Sequence, residues 1–386
     1  MKISTGQAQR SRHVSLGIFA WNEEAVIQRT LESLLAQSLF SRLAMSGLRA
    51  EIILVLNGCT DRTAAVARQT FAQLCVETPG NPLSWRVLDI PQQGKLNAWN
   101  QFVHSASAPE AEVLFMMDAD IQIHLADTLW NMLQTLERDA DASVAVDQPC
   151  KHLAFTSRKG LRERLSLGSA EMTQAAPAQL CGQLYAIRAK VARSIYFPKD
   201  LAACEDGFLK ALVCTDILKH EVWPQRIQVA PEAAHTFEAY TSPAAILRNQ
   251  KRQIIGQTLV HLLIDKHLKT LSEPERQNLS DTLERKDRLD PDWLKRLLIS
   301  HLREVRFFWR LYPGLLGQSF RKLRPFHGGR KARHYPAALA GSIMALLASW
   351  MAYRTLKSGC THYWPKAPRP GRASLPANSD PRLQSI

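Results

Sequence analysis

The sequence predicts an α/β fold, a doubly wound and mostly parallel sheet in the larger, N-terminal part of the chain, followed by basic helices with apolar stripes. Three observations predict it. Four short strand-like segments, the apolar runs Val14–Ala20, Glu51–Leu56 and Val113–Met117 and the mixed Trp85–Ile90, alternate with stretches whose apolar residues fall at helical spacing. Each run ends in a polar cluster: WNEE, NGCTDRT, PQQGKLNAWN and DAD in turn. The charge is also uneven, with 26 Lys+Arg against 10 Asp+Glu from Thr241 onward. The first 240 residues carry 23 against 25. An ordinary enzyme domain followed by a region suited to an anionic surface is the expected organisation.

Residues 1–13 are polar and basic, a loose tail. Val14–Ala20 reads as the first strand, and Glu24–Gln37 as a helix with apolar residues at 26, 27, 31, 34 and 35. Glu51–Leu56 is a second strand buried on both faces. Thr60 or Asp61 caps the helix after it, which runs to about Leu74. Trp85–Ile90 and Val113–Met117 are the third and fourth strands, separated by a helix to about Ser105. Strand and helix in strict alternation imply right-handed crossovers and parallel pairing. Ala142–Val146 and Leu184–Ile187 read as further strands, Cys204–Thr215 and Pro243–Lys269 as helices, and Leu271–Asp290 as a linker or surface helix.

From Trp293 the character changes. Leu294, Leu297, Leu298, Leu302, Val305, Phe308, Trp309 and Tyr312 share one helical face, opposite Lys295, Arg296, Arg303, Arg306 and Arg310. That is the pattern of a helix lying in a membrane interface, or of one packed on the protein's own core. Arg321–Arg333 adds six more basic residues. Pro336–Ala352 is then an uncharged run of 17 residues flanked by Tyr335, Trp350 and Tyr353, near the lower limit for a span of about 20 residues. A spanning or re-entrant helix over 335–356 is the expectation, with a basic interface region at 257–334 and a disordered tail at 357–386. Nucleic acid is not the expected partner, because the basic residues alternate with an apolar stripe. The seven cysteines are scattered without a C-x-x-C pair, which argues for reduced thiols and against a zinc site. No apolar N-terminal core long enough for a cleavable signal peptide is present, and the cytoplasm is the expected setting of the enzyme domain.

The chemistry centres on Asp118 and Asp120. Two carboxylates one residue apart at a strand end repel unless a cation lies between them, and hard oxygen ligands suit Mg²⁺ or Mn²⁺. Strands of such a sheet end at the crevice where ligands bind.

Together with GQLYAIR (182–188), FPKDLAACEDG (197–207) and RNQKRQ (248–253), the ordered strand-end motifs resemble the family 2 glycosyltransferases of the GT-A fold, over roughly Val14 to Gly256. The resemblance implies inverting transfer of a sugar from a nucleotide-sugar donor (UDP- or GDP-linked) to an acceptor hydroxyl. It makes Asp120 the metal ligand, with Asp118 on the ribose or on the metal through water. Glu24 and Asn57 fall at nucleobase-contacting positions, and Asn57 stands where many members have Asp. Lys95 and Gln250 fall near the nucleotide, and Gly182 and Gln183 beneath the acceptor. In Glu205-Asp206, Asp206 becomes the catalytic base, and Arg252 neutralises the diphosphate. Gln253 replaces the Trp of the family's Gln-x-x-Arg-Trp signature, which points away from processive polymer synthesis and toward one transfer to a lipid-linked or membrane-bound acceptor at the inner membrane. His235 is either a third metal ligand or a structural histidine. The alternatives are a membrane-tethered scaffold with a decayed active site and a nucleotidyltransferase. Retention of Asp118, Asp120, Asp206 and Arg252 opposes the first, and the acidic first loop opposes the second.

Overall fold

The computed structural model describes residues 13–75, 82–151, 180–201, 204–238, 242–315, 317–324 and 327–359. The expected tails at 1–12 and beyond 359, and most of the stretch 147–180 expected to carry acceptor contacts, lie outside the described residues.

Eight strands form one sheet: β1 (His13–Ala20), β2 (Arg49–Asn57), β3 (Leu83–Ile90), β4 (Ala111–Asp118), β5 (Gln122–Ile123), β6 (Val144–Lys151), β7 (Leu184–Arg188) and β8 (Ile227–Phe237). Their order across the sheet is β3-β2-β1-β4-β7-β6-β8-β5. β3, β2, β1 and β4 pair in parallel, β7 lies antiparallel between β4 and β6, and β8 is parallel to β6. The four strands read from the apolar runs are therefore the parallel half of a mixed sheet.

Both faces of β1, β2 and β4 are covered, which is why these strands read as mostly apolar runs, while β3 at the sheet edge is half exposed. Leu16, Ile18, Ile52 and Leu54 pack beneath the helices Ile27–Leu35, Thr63–Leu74 and Thr128–Arg138. Ile53, Val55, Leu114 and Met116 face the other way, toward Trp99, Phe102, Phe208 and the C-terminal helices. The Lys95–Gln101 helix widens into π-type turns through Ala106 and presses Phe102 onto β1. A Cβ on Gly17 would stand 2.8 Å from that ring, so the close approach requires glycine.

Four differences from the sequence reading have physical causes. A second helix, Ser38–Met45, follows the first, because the chain breaks at the extended residue Gln37. Leu271–Asp290 is two packed helices, Glu273–Gln277 opened by a Ser272–Glu275 capping box and Leu279–Leu289 with Leu279 and Leu283 buried. β8 is a long strand, obscured in the sequence by Pro231 and Glu232, where the register against β6 shifts and Glu232 takes a φ of 50°.

The fourth difference concerns the expected membrane-interface helix. It stops at Glu304, where Val305 turns extended, so Phe308, Trp309 and Tyr312 leave its face. Trp293, Leu294, Leu298 and Leu302 are buried in the core. This stripe serves the protein's own packing, and its membrane role is corrected accordingly. The uncharged run belongs to a longer helix, Gly328–Lys357, with Pro336 inside it. Its segment His334–Lys357 is long and apolar enough to cross a membrane.

Leu298→Ala is expected to destabilise the full-length protein by about 2–5 kcal/mol, the cost of a core cavity. Urea or thermal melts check it. An unchanged midpoint would mean that the helix stands off the core.

Candidate active site

The parallel register brings Phe19 beside Asp118 and Asn57 beside Ile90, so the segments that follow β1 to β4 all leave one edge of the sheet. A cleft of about 500 Å³ opens there, with Glu23, Asn57, Gln93, Lys95, Asp118 and Asp120 in its walls. A larger hollow of about 790 Å³ lies at the opposite, amino end of β4, by Glu110 and Glu112. Ligands of open α/β sheets bind at the carboxyl ends, so the smaller cleft is the candidate site.

Backbone and side-chain hydrogen bonds hold the loops around this cleft. Asn22, at a left-handed φ of 55° that asparagine tolerates, accepts the N–H of Thr60 at 2.7 Å. Glu24 is exposed and accepts the N–H of Arg62 at 2.9 Å, while its own N–H donates to Asp61. Of the WNEE acids, then, Glu23 and not Glu24 lines the cleft, and Glu24 joins the first loop to the second. Asp61 accepts the N–H of Thr63, the first residue of its helix, at 3.0 Å, as a helix-start acid does. Asn57 accepts the Gly94 N–H at 2.5 Å, tying β2 to the turn that presents Lys95. Gly58 has a φ of +66°, and a Cβ there would lie 2.5 Å from the Gln93 side chain.

Lys95 is the centre of the site. Its ammonium lies 2.6 Å from Asp118 Oδ1 and 3.0 Å from Glu205 Oε1, and donates to the Gly182 carbonyl at 2.9 Å. Burial alone would lower its hold on the proton, but the two carboxylates outweigh burial and raise it above the ordinary lysine range. Glu205 is the converse. Burial raises it, Lys95 and Arg252 more than offset this, and the carboxyl ends below its usual range. Asp118 is pushed up to about 6, by burial first, against the pull of Lys95 and with a push from Asp120. A Cβ on Gly182 would come within 3.1 Å of Glu205 Oε1, so a bare backbone lets the carboxylate settle against Lys95.

Asp120 opens onto the cleft, yet the protein around it withdraws enough solvent to raise its carboxyl. Asp206, in the first turn of the helix Glu205–Cys214, is likewise raised, to about 6, by burial and then by its neighbour Glu205. Cys204 precedes that helix at a φ of 63°, backbone strain of the kind that collects at functional sites. Arg252, on the helix Pro243–His261 with Gln250, stands close enough to lower Glu205 and Asp206. Gln253 is exposed, and its carbonyl accepts from the Cys204 thiol at 3.3 Å. The structure thus gathers Lys95, Asp118, Asp120, Gly182, Glu205, Asp206 and Arg252.

His235 is fully buried and donates from Nδ1 to Asp147 Oδ2 at 2.7 Å. Its Nε2 lies 3.4 Å from Gln183 Oε1, and the Gln183 carbonyl accepts the Asp118 N–H at 2.8 Å. Burial disfavours the imidazolium, but the Asp147 charge overrides it and raises the histidine to about 10. His235 is the buried cation of an ion pair supporting the Asp118 strand end. Asp147, Glu23 and Gln93 were not singled out in the sequence. Glu23 was separated from Glu24 by one position, and Asp147 had no local signal.

Among the described residues no three His, Cys, Asp or Glu cluster around one point to hold a metal ion. Asp118 and Asp120 nevertheless fit a divalent cation that takes its other ligands from water and a phosphorylated substrate. Both carboxyls are raised and one raises the other, the strain that a cation between them relieves.

A mixed sheet whose parallel half delivers paired acids and a buried lysine to one edge has the architecture of a GT-A glycosyltransferase. Residues 15–179 match the sequence model of the family "Glycosyl transferase family 2". No curated protein matches the sequence. Among solved structures, the mannosyltransferase PcManGT from Pyrobaculum calidifontis, in complex with GDP-Man and Mn²⁺, is similar with a TM-score of 0.50 at 17% identity, over 88% of this chain and 86% of that one. TarS from S. aureus (residues 1–349) gives 0.42 at 16% identity, over 90% and 92%. Glucosyl-3-phosphoglycerate synthase from Mycobacterium tuberculosis, with Mn²⁺, UDP-glucose and phosphoglyceric acid, gives 0.42 at 16% identity, over 64% and 79%. At these identities the similarity to PcManGT speaks for the fold.

Asp147→Asn leaves the buried imidazolium uncompensated and is expected to cost about 3–5 kcal/mol. Because the folded histidine is raised above its unfolded value of about 6.5, the pair's contribution is fully present below that pH. It is lost as pH rises through about 10. Melts of the wild type and Asp147→Asn should therefore differ widely at neutral pH and converge in strong alkali.

Proposed function

We propose that the protein is an inverting, metal-dependent glycosyltransferase that moves one sugar from a UDP- or GDP-sugar to a hydroxyl of a lipid-linked or membrane-bound acceptor. The reaction takes place at the cytoplasmic face of the inner membrane. One observation supports the reading: Lys95 pairs with Asp118 at the strand end that bears Asp120 and with Glu205 at the helix start that bears Asp206. Donor and acceptor chemistry need these two groups side by side.

In this reading Asp120 and Asp118 hold Mg²⁺ or Mn²⁺, which supplies charge stabilisation to the departing diphosphate. Arg252 adds a second positive charge on the leaving-group side, and Gln250, two positions earlier on the same helix, points away from it. Asn57 and Glu23 present polar groups to the nucleoside, and Glu24 acts through the loop it fastens. Asp206 takes the proton from the attacking hydroxyl. Its raised pKa suits it to that work, because a carboxylate that holds a proton more strongly removes one more readily near neutral pH. Glu205 keeps its charge for Lys95 and so leaves the role of base to its neighbour. An exposed glutamine at 253, in place of an aromatic platform, fits a single transfer.

Asp206→Asn is expected to lower turnover by about 10²–10⁴-fold while leaving metal-dependent nucleotide binding intact. Asp120→Ala should abolish both, as should chelation of the metal. Calorimetry with UDP and with GDP in the presence of Mn²⁺ separates the two variants and names the base. Near-normal turnover in either variant removes the role given to that residue. In the wild type, turnover should rise with pH along a limb centred near 6, since the base works only when deprotonated.

A further inference from the structure

We propose that the helix Gly328–Lys357 lies flat in the surface of an anionic phospholipid bilayer, one face in the lipid, and does not cross it. The proposal deepens the membrane-acceptor reading above and replaces the spanning or re-entrant helix expected from the sequence.

The two faces of this helix have different surroundings. Ala348, Ser349, Ala352 and Leu356 are buried, and the helix packs along Pro243–His261 and the turn at Phe308–Arg310. The outer face is a continuous apolar stripe of Tyr335, Leu339, Ile343, Leu346, Leu347 and Trp350, each between 38% and 55% exposed. Their spacing of three or four residues keeps them in line along the helix. A spanning helix would have to bring its protein-covered face, and the charged domain behind it, into the hydrocarbon. The helix as a whole is long enough to span, but its exposed apolar stripe from Tyr335 to Trp350 measures only about 22 Å at 1.5 Å per residue, less than the roughly 30 Å hydrocarbon thickness. An in-plane helix meets neither obstacle.

The ends of the stripe identify the occupant. At one end the Arg354 guanidinium stands 5.1 Å from the Trp350 ring and the Lys357 ammonium 4.8 Å from that of Tyr353, both cations exposed. Beyond the other end, Phe320 meets Tyr335 at 6.2 Å, with Arg321 and Arg324 exposed beside it. Aromatic rings bordered by basic groups match the headgroup zone, where rings sit at the boundary and cations reach anionic phosphates. A second copy of the chain is a poor occupant. Paired antiparallel, the stripe would set Arg354 and Lys357 against Arg321 and Arg324; paired parallel, it would set like against like. The same packing places the Pro243–His261 helix, with Gln250 and Arg252, about one interhelical distance of 8–10 Å behind the docking face.

Flotation of the full-length protein tests this with vesicles of equal parts phosphatidylglycerol and phosphatidylcholine, and with vesicles of phosphatidylcholine alone. The wild type should float with the first and much less with the second. Ile343→Glu and Leu347→Glu should each reduce binding by about tenfold or more, the loss of one buried apolar side chain, with unchanged melting and unchanged Mn²⁺-dependent nucleotide binding. Tags appended at both termini should be digested together from the same side of closed membrane vesicles. Protection of one tag alone would establish a spanning helix and overturn the proposal. So would a wild-type dimer in the absence of lipid that either glutamate variant dissolves, or equal flotation of wild type and variants. If the wild type floats and the variants do not, but no form transfers sugar, the docking surface stands and the transferase reading falls.

Discussion

A single buried ammonium holds the functional edge of this protein together. Lys95 touches Asp118 on the sheet, Glu205 on the helix facing it and the Gly182 carbonyl between them. Each partner would be costly to bury alone, since an unpaired charge in a low-dielectric site loses its solvation without compensation. Met in place of Lys95 would leave two carboxylates facing each other with no cation between them. The lysine therefore acts first on the geometry of the site, and any contact with a nucleotide comes on top of that.

The ion pair also sets two adjacent acids apart. Glu205 and Asp206 follow one another in a helix's first turn, where acids are favoured simply by the positive end of the helix. Their environments separate them. One carboxyl is held charged by Lys95 and Arg252, and the other is raised by the charge so fixed beside it. Two like groups driven apart in pKa are a recurrent way of assigning one to structure and the other to proton transfer.

The parallel half of the sheet was legible in the sequence because burial on both faces leaves runs such as EIILVL, whose ends are marked by polar residues. The positions of Asp118, Asp120 and Asp206 were legible for the same reason: they sit where such a run stops or a helix starts. Less was visible wherever function depends on long-range pairing. Nothing local to Asp147 announces that it faces His235 across β6 and β8. Glu23 and Glu24 are indistinguishable by type, and only the turn after β1 decides which faces the cleft. The stripe of Leu294, Leu298 and Leu302 is a case where pattern reading gave the right surface and the wrong partner, because a helix's periodicity reports that one face is covered and not by what.

The kink in β8 has a consequence for which changes of length the chain tolerates. Side chains of a strand alternate between faces with a period of two, so the three extra residues that β8 carries at the register shift near Glu232, an odd number, reset the phase of everything after them. In that reset phase His235 points inward beneath Gln183. A one-residue deletion between Ala230 and Ala233 would turn the imidazole outward and bring a neighbour into its place, with every residue type around the site intact. The spacing there is as much a part of the active site as the acids themselves.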